Sequence, residues 1–418
     1  MLMVRYDGDT VGRIDAREGR LVFRYAAHWL QRRAAFALST RLPLREAEFV
    51  GEEVLGFFAN LLPEGPVLDT LCRLRRLPRA NVYRLLEAFG RESAGAFEII
   101  PDEDADSRRE AAYQPYSEDT LRSDLEALRD NIPLLQQHGA LHLSMAGAQN
   151  KMPVRSDRGE LSLPMGGAPS THLLKPALQP ARLYPESVYN EALCMRLAQA
   201  VGLSTASVEI VEVPEPVLLI TRFDRLIDKG RIRRLHQLDF CQLAGVLPDQ
   251  KYEVDGGPGV SDVFALVDAH SALPARDRLQ LVDWLVFNYL IGNADAHAKN
   301  IAMLFGDDGR WQLAPAYDLI STAYWPALAD KMAMAIGGER RPKWLMGRHW
   351  QRMCASVGLN FTQFRRRAMT LLDTLHNALP EVARDLPLDD DAPLVKHLHT
   401  IVSTRGTWLR ERMDQTGS

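Results

Sequence analysis

The stretch "LVDWLVFNYLIG" at positions 281–292 is almost wholly apolar, and it empties into "NADAHAKN" at 293–300. A helix that is apolar on nearly every side has one stable place, inside a domain. The chain around it must therefore be large enough to wrap it. With 418 residues, 46% hydrophobic and 25% charged, it has the material for a real core and for two to three domains at roughly 100–200 residues each. The octet that follows holds two Asn, one Asp, one His and one Lys. A polar turn fixed to a buried helix serves solubility, or it holds a metal ion and a reacting proton in place.

A net charge of -4 gives no global basic field for nucleic acid, which leaves only a local patch. The opening "MLMVRYDGDTVGRI" reads as strand, Asp7-Gly8 turn, strand, and not as a leader peptide. No stretch approaches the roughly 18 uncharged apolar residues of a membrane span. Cys72, Cys194, Cys241 and Cys354 are scattered in apolar surroundings with no CxxC pair. They read as buried free thiols of a reducing cytoplasm and argue against structural zinc.

Residues 1–100 read as a small α+β unit. Strands are expected in "LMVRYDG", "TVGRIDA" and "RLVFRYA". Next, "GEEVLGFFANLL" keeps a helical period through Val54, Leu55, Phe57, Phe58, Leu61 and Leu62 until Pro63-Glu64-Gly65-Pro66 breaks it. The helix "ANVYRLLEAFG" should stop at Gly90. Residues 101–116 lack an apolar period and read as linker. A helix capped by Ser117 follows, and 105–137 form the connection. Residues 138–240 mix strands with the amphipathic helix "ESVYNEALCMRLAQAVGL", which closes at Gly202. Residues 241–418 are mostly helical. A strand-rich lobe followed by a helix-rich lobe is a common frame for a ligand cleft.

Three separated pieces carry chemistry. In "LSMAGAQNK" the small residues Ala146, Gly147 and Ala148 would let backbone N–H groups approach phosphate, with Lys151 adding charge and Ser144 a hydroxyl. A small-residue turn is the plain alternative. Lys175 closes the apolar strand "HLLK", which suits a point charge aimed at phosphate, with Glu191 as a guessed partner. The third piece is Asp295 with Asn300, five residues apart, followed by Tyr317-Asp318 beyond an expected hairpin turning at Asp307-Asp308-Gly309. Protein kinases space their base Asp and metal-binding Asn in this way, with a second metal-binding Asp downstream. A carboxylate accepts a hydroxyl proton; an amide oxygen and a second carboxylate suit Mg²⁺. His297 reads as a phosphate contact or a brace of the loop, and Asn293 and Lys299 as supporting or surface residues. "GERRPKWLMGRHWQR" at 338–352 carries five Lys/Arg against one acid. It reads as a solvated face or as a partner or nucleic-acid surface.

In order along the chain, "FALSTRLPL", "FFANLLPEGP", "GRESAGAFEIIPDE", "SMAGAQNK", "STHLLKP", "YNEALCMRLAQAVGL", "TRFDR", "DFCQLAGV", "KYEVDGGPG", "IGNADAHAKN" and "APAYDLIST" resemble the HipA-type serine/threonine kinases, toxins of bacterial toxin–antitoxin systems. The resemblance covers nearly the whole chain. It implies an α+β, two-lobed protein-kinase-like fold with an extra N-terminal α/β subdomain and an all-helical C-terminal lobe, using ATP and Mg²⁺. It implies a phosphate loop over Ala146, Gly147, Ala148, Gln149, Asn150 and Lys151, with Lys175 on the phosphates. Leu238, Asp239 and Phe240 would be the adenine-reading hinge. Asp295 would be the base, and Asn300 and Asp318 the metal ligands. His297, Lys299 and Tyr317 would lie in the segments lining the nucleotide, and Ser144 would be the site of inhibitory autophosphorylation. The missing GxGxxG, and the missing Gly after Asp318, set the chain apart from eukaryotic-type kinases.

The resemblance further implies a cytoplasmic protein partnered by a HipB-type helix-turn-helix antitoxin and operon DNA. Its protein substrate would be an aminoacyl-tRNA synthetase such as glutamyl-tRNA synthetase, modified on serine, with growth arrest or persistence as the outcome. Two alternatives stand beside it: a non-toxic corepressor scaffold, and a small-molecule kinase of similar fold.

Overall fold

A computed structural model describes residues 1–104, 111–129, 149–213, 215–389 and 391–414. The chain divides into two compact units. The first comprises Met1–Pro176, Val211–Pro248 and Leu304–Asp307; the second comprises Ala177–Ile210, Asp249–Met303 and Asp308–Ser418.

The first unit begins with strands β1 (Leu2–Tyr6), β2 (Asp9–Arg17) and β3 (Arg20–Tyr25), the short helix α1 (Ala27–Leu30), strand β4 (Phe49–Val50), helices α2 (Glu52–Phe58), α3 (Gly65–Arg75) and α4 (Val82–Phe89), and strand β5 (Glu98–Pro101). Its antiparallel sheet runs β4-β3-β2-β1-β5. The first hairpin turns where the sequence predicts, with Asp7 and Gly8 both at positive φ, the pair that matches strand twist. Gly90 does end α4, for a different reason than expected. Its φ is -79°, so no left-handed cap forms; a Cβ there would sit 2.7 Å from the Ile99 Cβ. The glycine lets β5 pass close to the helix end.

Next come strand β6 (Ala112–Pro115), helix α5 (Glu118–Arg129), strands β7 (Met152–Asp157), β8 (Glu160–Met165) and β9 (His172–Lys175), helix α6 (Ser187–Ala200), strands β10 (Val208–Val213), β11 (Glu215–Thr221), β12 (Arg225–Asp228), β13 (Arg231–Arg234) and β14 (Gln237–Asp239), and helix α7 (Phe240–Ala244). Part of the expected linker is therefore structured. Residues Ala112–Pro115 pair with β8 as an edge strand. Edge strands need only one partner and tolerate the polar, Pro-ended composition that hid this one. The second sheet runs β10-β11-β9-β7-β8-β6. Leu121, Leu125 and Leu128 of α5 pack with Met152, Val154, Leu174, Val217 and Leu219. Each buried aliphatic side chain contributes about 1.5–3 kcal/mol.

Between the two sheets lies a buried ionic cluster. Arg222 bonds Glu92 at 2.8 Å and Asp224 at 2.7 Å. Arg225 reaches the same two acids at 3.2 and 2.9 Å. Arg234 spans Glu92 at 2.8 Å and Glu98 at 2.9 Å. Backbone groups and a hydroxyl complete the set: Gly95 N–H donates to Asp224, Ser170 Oγ–H to Glu92, and Arg222 to the Ser93 carbonyl. Burial alone would raise the carboxyl pKa values, but the arginines override it. Glu92 is held at about 2 and Asp224 well below the usual range. Three cations face three anions, so the cluster is neutral as a whole.

The second unit holds α6 and then α8 (Val260–His270), α9 (Pro274–Ile291), the first two residues of strand β15 (Ala302–Phe305), strand β16 (Trp311–Leu313), α10 (Gly347–Ser356), α11 (Phe361–Arg384) and α12 (Pro393–Asp414). Helix α9 is buried from Leu281 to Ile291 at every position but Asp283, with α8, α11 and α12 packed around it. Helix α6 is not amphipathic as expected. Ten of its fourteen residues are buried, because α11 covers one side and the Ser321 turn another. All four cysteines are buried and unbridged. Among the described residues, no helix is long and apolar enough to cross a membrane.

Candidate active site

The polar octet is held by the end of α9. Gly292 takes φ +79°, and the Asn293 N–H closes back onto the Asn288 carbonyl at 2.9 Å, the left-handed glycine cap that turns a chain sharply off a helix. Side chains continue the anchorage. Asn288 Nδ2 donates to the Trp284 carbonyl at 2.8 Å, and Asn293 Nδ2 to Asn288 Oδ1 at 2.7 Å. The Asp295 N–H then donates to Asn293 Oδ1 at 2.9 Å. From the other side, Thr322 Oγ1 accepts from the Ala294 N–H at 2.7 Å and donates to the Gly292 carbonyl at 3.1 Å. Asn293, 3% exposed, is thus a structural brace and not a surface residue. A Cβ at Gly292 would meet the Ala323 Cβ at 2.8 Å. Gly292→Ala should therefore lower stability by about 1–3 kcal/mol, read as a drop in thermal midpoint.

Within the loop, Asn300 Nδ2 donates to the Asp295 carbonyl at 3.0 Å. That bond assigns the amide: its nitrogen braces the loop, and its oxygen is the atom that can face a cation. The Asp295 side chain is 50% exposed and accepts from Tyr252 Oη at 2.6 Å. His297 is buried, with its Nε2 3.9 Å from Asp295 Oδ1 and its ring edge-on to Tyr252. Lys299 is also buried. Its carbonyl accepts from Tyr317 Oη at 2.7 Å, a tie between the residue before Asn300 and the residue before Asp318.

Asp318 has φ +54°, uncommon for a side chain with a Cβ and a mark of backbone held by its surroundings. The restraint is visible three residues on. Asn190 of α6, fully buried, accepts from the Ser321 N–H at 2.9 Å and donates to the Ser321 carbonyl at 3.0 Å. Asn190→Ala should leave the Ser321 N–H unpaired and its carbonyl with the Tyr324 N–H alone, at a cost of about 1–3 kcal/mol, and blunt any activity that needs Asp318 in place. Stability and activity measured on the same preparation check this.

Asp295, Asn300 and Asp318 thus sit on one hydrogen-bonded frame. Their oxygens are hard donors of the kind Mg²⁺ prefers.

The remaining expected residues lie in the first unit. Lys175 is 5% exposed and pairs opposite Leu218 in the sheet; its guessed partner Glu191 is buried on α6 of the second unit. Lys151 directly precedes β7. Gln149 Nε2 donates to the Pro176 carbonyl at 3.1 Å, and Asn150 Nδ2 to the Leu128 carbonyl at 2.7 Å. Ser144, Ala146, Gly147 and Ala148 lie outside the described residues. Leu238 and Phe240 are fully buried. Asp239 caps α7, accepting from the Gln242 N–H at 2.8 Å, while its own N–H donates to Gln242 Oε1 at 3.0 Å. The capping box commits that N–H, so a purine edge would have to read other backbone groups of the segment.

Sequence reasoning missed Asn190, Tyr252 and Thr322 as site residues. Each lies inside or beside a quoted motif. Only the fold brings them to the loop.

Comparison with known proteins places the chain in a family. The family models for the HipA N-terminal domain and the HipA-like C-terminal domain match residues 2–100 and 143–382. The chain belongs to the HipA family, and its α+β fold is that of HipA-type kinases. A relative described as the putative kinase Y4mE of Sinorhizobium fredii is 37% identical, over 98% of both chains. The serine/threonine-protein kinase toxin HipA of Shewanella oneidensis is 30% identical, over 94% of this chain and 91% of that one. A solved complex of HipA, HipB and operator DNA from Shewanella oneidensis matches with a TM-score of 0.85 and 27% identity, over 99% of each chain.

Proposed function

We propose that this protein is an ATP-dependent serine/threonine protein kinase acting as a toxin. The observation that carries the reading is the frame joining Asp295, Asn300 and Tyr317-Asp318. Asp295 takes the proton of the attacking serine hydroxyl as the serine oxygen bonds to the γ-phosphorus of ATP and the bond from that phosphorus to the β–γ bridging oxygen breaks, releasing ADP. Asn300 Oδ1 and the Asp318 carboxylate would hold Mg²⁺, which when bound would neutralise charge on the phosphates. Lys175, Lys151 and the loop through Ala146, Gly147, Ala148, Gln149 and Asn150 hold the phosphates. Leu238, Asp239 and Phe240 read the adenine, and His297, Lys299 and Tyr317 back the nucleotide site. The boundaries 1–104, 105–137, 138–240 and 241–418 serve as the working division of the chain.

The substrate is a serine of a translation protein, an aminoacyl-tRNA synthetase such as glutamyl-tRNA synthetase, and its modification arrests growth in the cytoplasm. Autophosphorylation of Ser144 places a dianion beside the phosphate loop and switches the kinase off by charge repulsion. A HipB-type antitoxin and operon DNA are the partners. The solved relative in complex with HipB and operator DNA also favours a second reading, a corepressor role on the operon with little toxicity.

The test is purified protein with labelled ATP, Mg²⁺ and a bacterial lysate. Label should appear on one dominant protein and vanish with a chelator. Asn300→Ala and Asp318→Ala should raise the Mg²⁺ concentration needed for half-maximal transfer. Transfer that persists without divalent metal, or label on a metabolite alone, counts against the reading. A wild-type chain with little toxicity, and operon repression that survives loss of Asp295, favour the scaffold.

A further inference from the structure

The carboxylate of Asp295 has a neighbour that the kinase roles leave unused. Tyr252 Oη donates to Asp295 Oδ1 at 2.6 Å. The phenol is not delivered by a loose side chain. The Tyr252 carbonyl accepts from the Asp255 and Gly257 N–H groups, both at 3.0 Å, which closes a tight turn. A Cβ at Gly257 would fall 2.0 Å from the Gln250 carbonyl oxygen, so this turn admits only glycine there. Glu253, the next residue, is pinned in turn, its carboxylate accepting from the Ala335 N–H at 2.5 Å. The Tyr252 ring meets the buried His297 ring at 5.1 Å and 79°, and the Lys251 ammonium lies 5.5 Å from its centroid.

Asp295 presents the opposite situation. Its backbone is braced, but its side chain is 50% exposed and gains little from packing to choose one rotation of the carboxylate. A short hydrogen bond from a rigid donor supplies that choice. We infer that Tyr252 is a positioning residue for the base: it holds Oδ1, so that Oδ2 is the oxygen presented to the substrate hydroxyl. In the transfer step the serine proton moves to Oδ2 as the serine oxygen bonds to the γ-phosphorus and the bond from that phosphorus to the bridging oxygen breaks, ADP leaving with the electron pair, while Tyr252 keeps its own proton throughout. The inference rests on Asp295 being the base, and it assigns "KYEVDGGPG" the task of orienting it.

Tyr252→Phe removes the O–H and keeps the ring between Lys251 and His297. With labelled ATP, Mg²⁺ and the full chain, incorporation of label into the protein gives the rate. The variant should lose about 10- to 100-fold in kcat, the scale of a misaligned reacting group. KM for ATP and the thermal midpoint should stay unchanged. Added to Asp295→Asn, the same substitution should cost nothing further, since its effect runs through that carboxylate. A packing role would move the thermal midpoint, and a substrate-contact role would subtract additively in the double variant; either outcome overturns the inference. So does a Tyr252→Phe protein at or above the wild-type rate while Asp295→Asn is inactive, and in that case the base reading stands. An Asp295→Asn protein at full rate, or a wild-type chain that transfers no label, removes the base reading and the inference with it.

Discussion

Asp295→Asn should slow phosphoryl transfer by about 10²–10⁴-fold, the usual contribution of a positioned general base, with the thermal midpoint unchanged. The substitution keeps shape and polarity and removes the basic oxygen. The loop should survive, because its braces do not depend on the carboxylate. Asn300 bonds the Asp295 carbonyl, Asn293 accepts from the Asp295 N–H, and Thr322 holds Ala294 and Gly292. Asn300→Ala differs, since it removes the brace and the metal-facing oxygen together; both stability and transfer should fall. Measuring rate and melting on each variant separates the two cases. Full activity in Asp295→Asn would falsify the assignment of the base.

The second large effect is on folding. Glu92→Gln should destabilise the first unit by about 3–5 kcal/mol, because it strands buried arginine charge that water cannot reach. Denaturant melts of wild type and variant give the difference. The exposed pair Arg122–Glu118 is the control, and Glu118→Gln should change stability by less than about 1 kcal/mol. The same cluster sets an acid limit. Glu92 is lowered from 4.5 to about 2, so its contribution is fully present above about pH 4.5 and is lost as pH falls toward 2. His236 is lowered from 6.5 to about 3 by burial, with its ring bonded to the Leu38 carbonyl at 2.8 Å. The unfolded chain takes up this proton first, so its contribution is lost between about pH 6.5 and 3. Stability should begin to fall below about pH 6.5 and drop further below 4.5. His236→Gln should remove the upper part of that decline.

Local signals made much of this legible from the residues. The Asp7-Gly8 turn and the Asp307-Asp308-Gly309 turn needed only turn chemistry. Helix α9 needed only its apolar perimeter, and DxxxxN with a downstream Asp needed only spacing. What stayed hidden depends on chain segments far apart in sequence. Glu92 meets Arg222 across 130 residues, and Asn190 meets Ser321 across 131. Tyr252 lies 43 residues from Asp295 in a turn that reads as an ordinary glycine-rich connection. Edge strand β6 failed for the opposite reason: half-satisfied and polar, it leaves no apolar alternation to find.

The ionic cluster has a consequence for how such proteins can be recombined. Glu92 and Glu98 lie in the segment matched by the N-terminal family model, whereas Arg222, Arg225 and Arg234 lie in the segment matched by the C-terminal one. Two modules that look separable along the chain share one closed set of charges. A chimera that imports residues 2–100 from a relative lacking these acids would leave the three arginines with Asp224 as the one remaining carboxylate of the cluster, a buried excess of two positive charges. Grafts should therefore succeed only when acids and arginines travel together, which makes the cluster a compatibility code between the two halves.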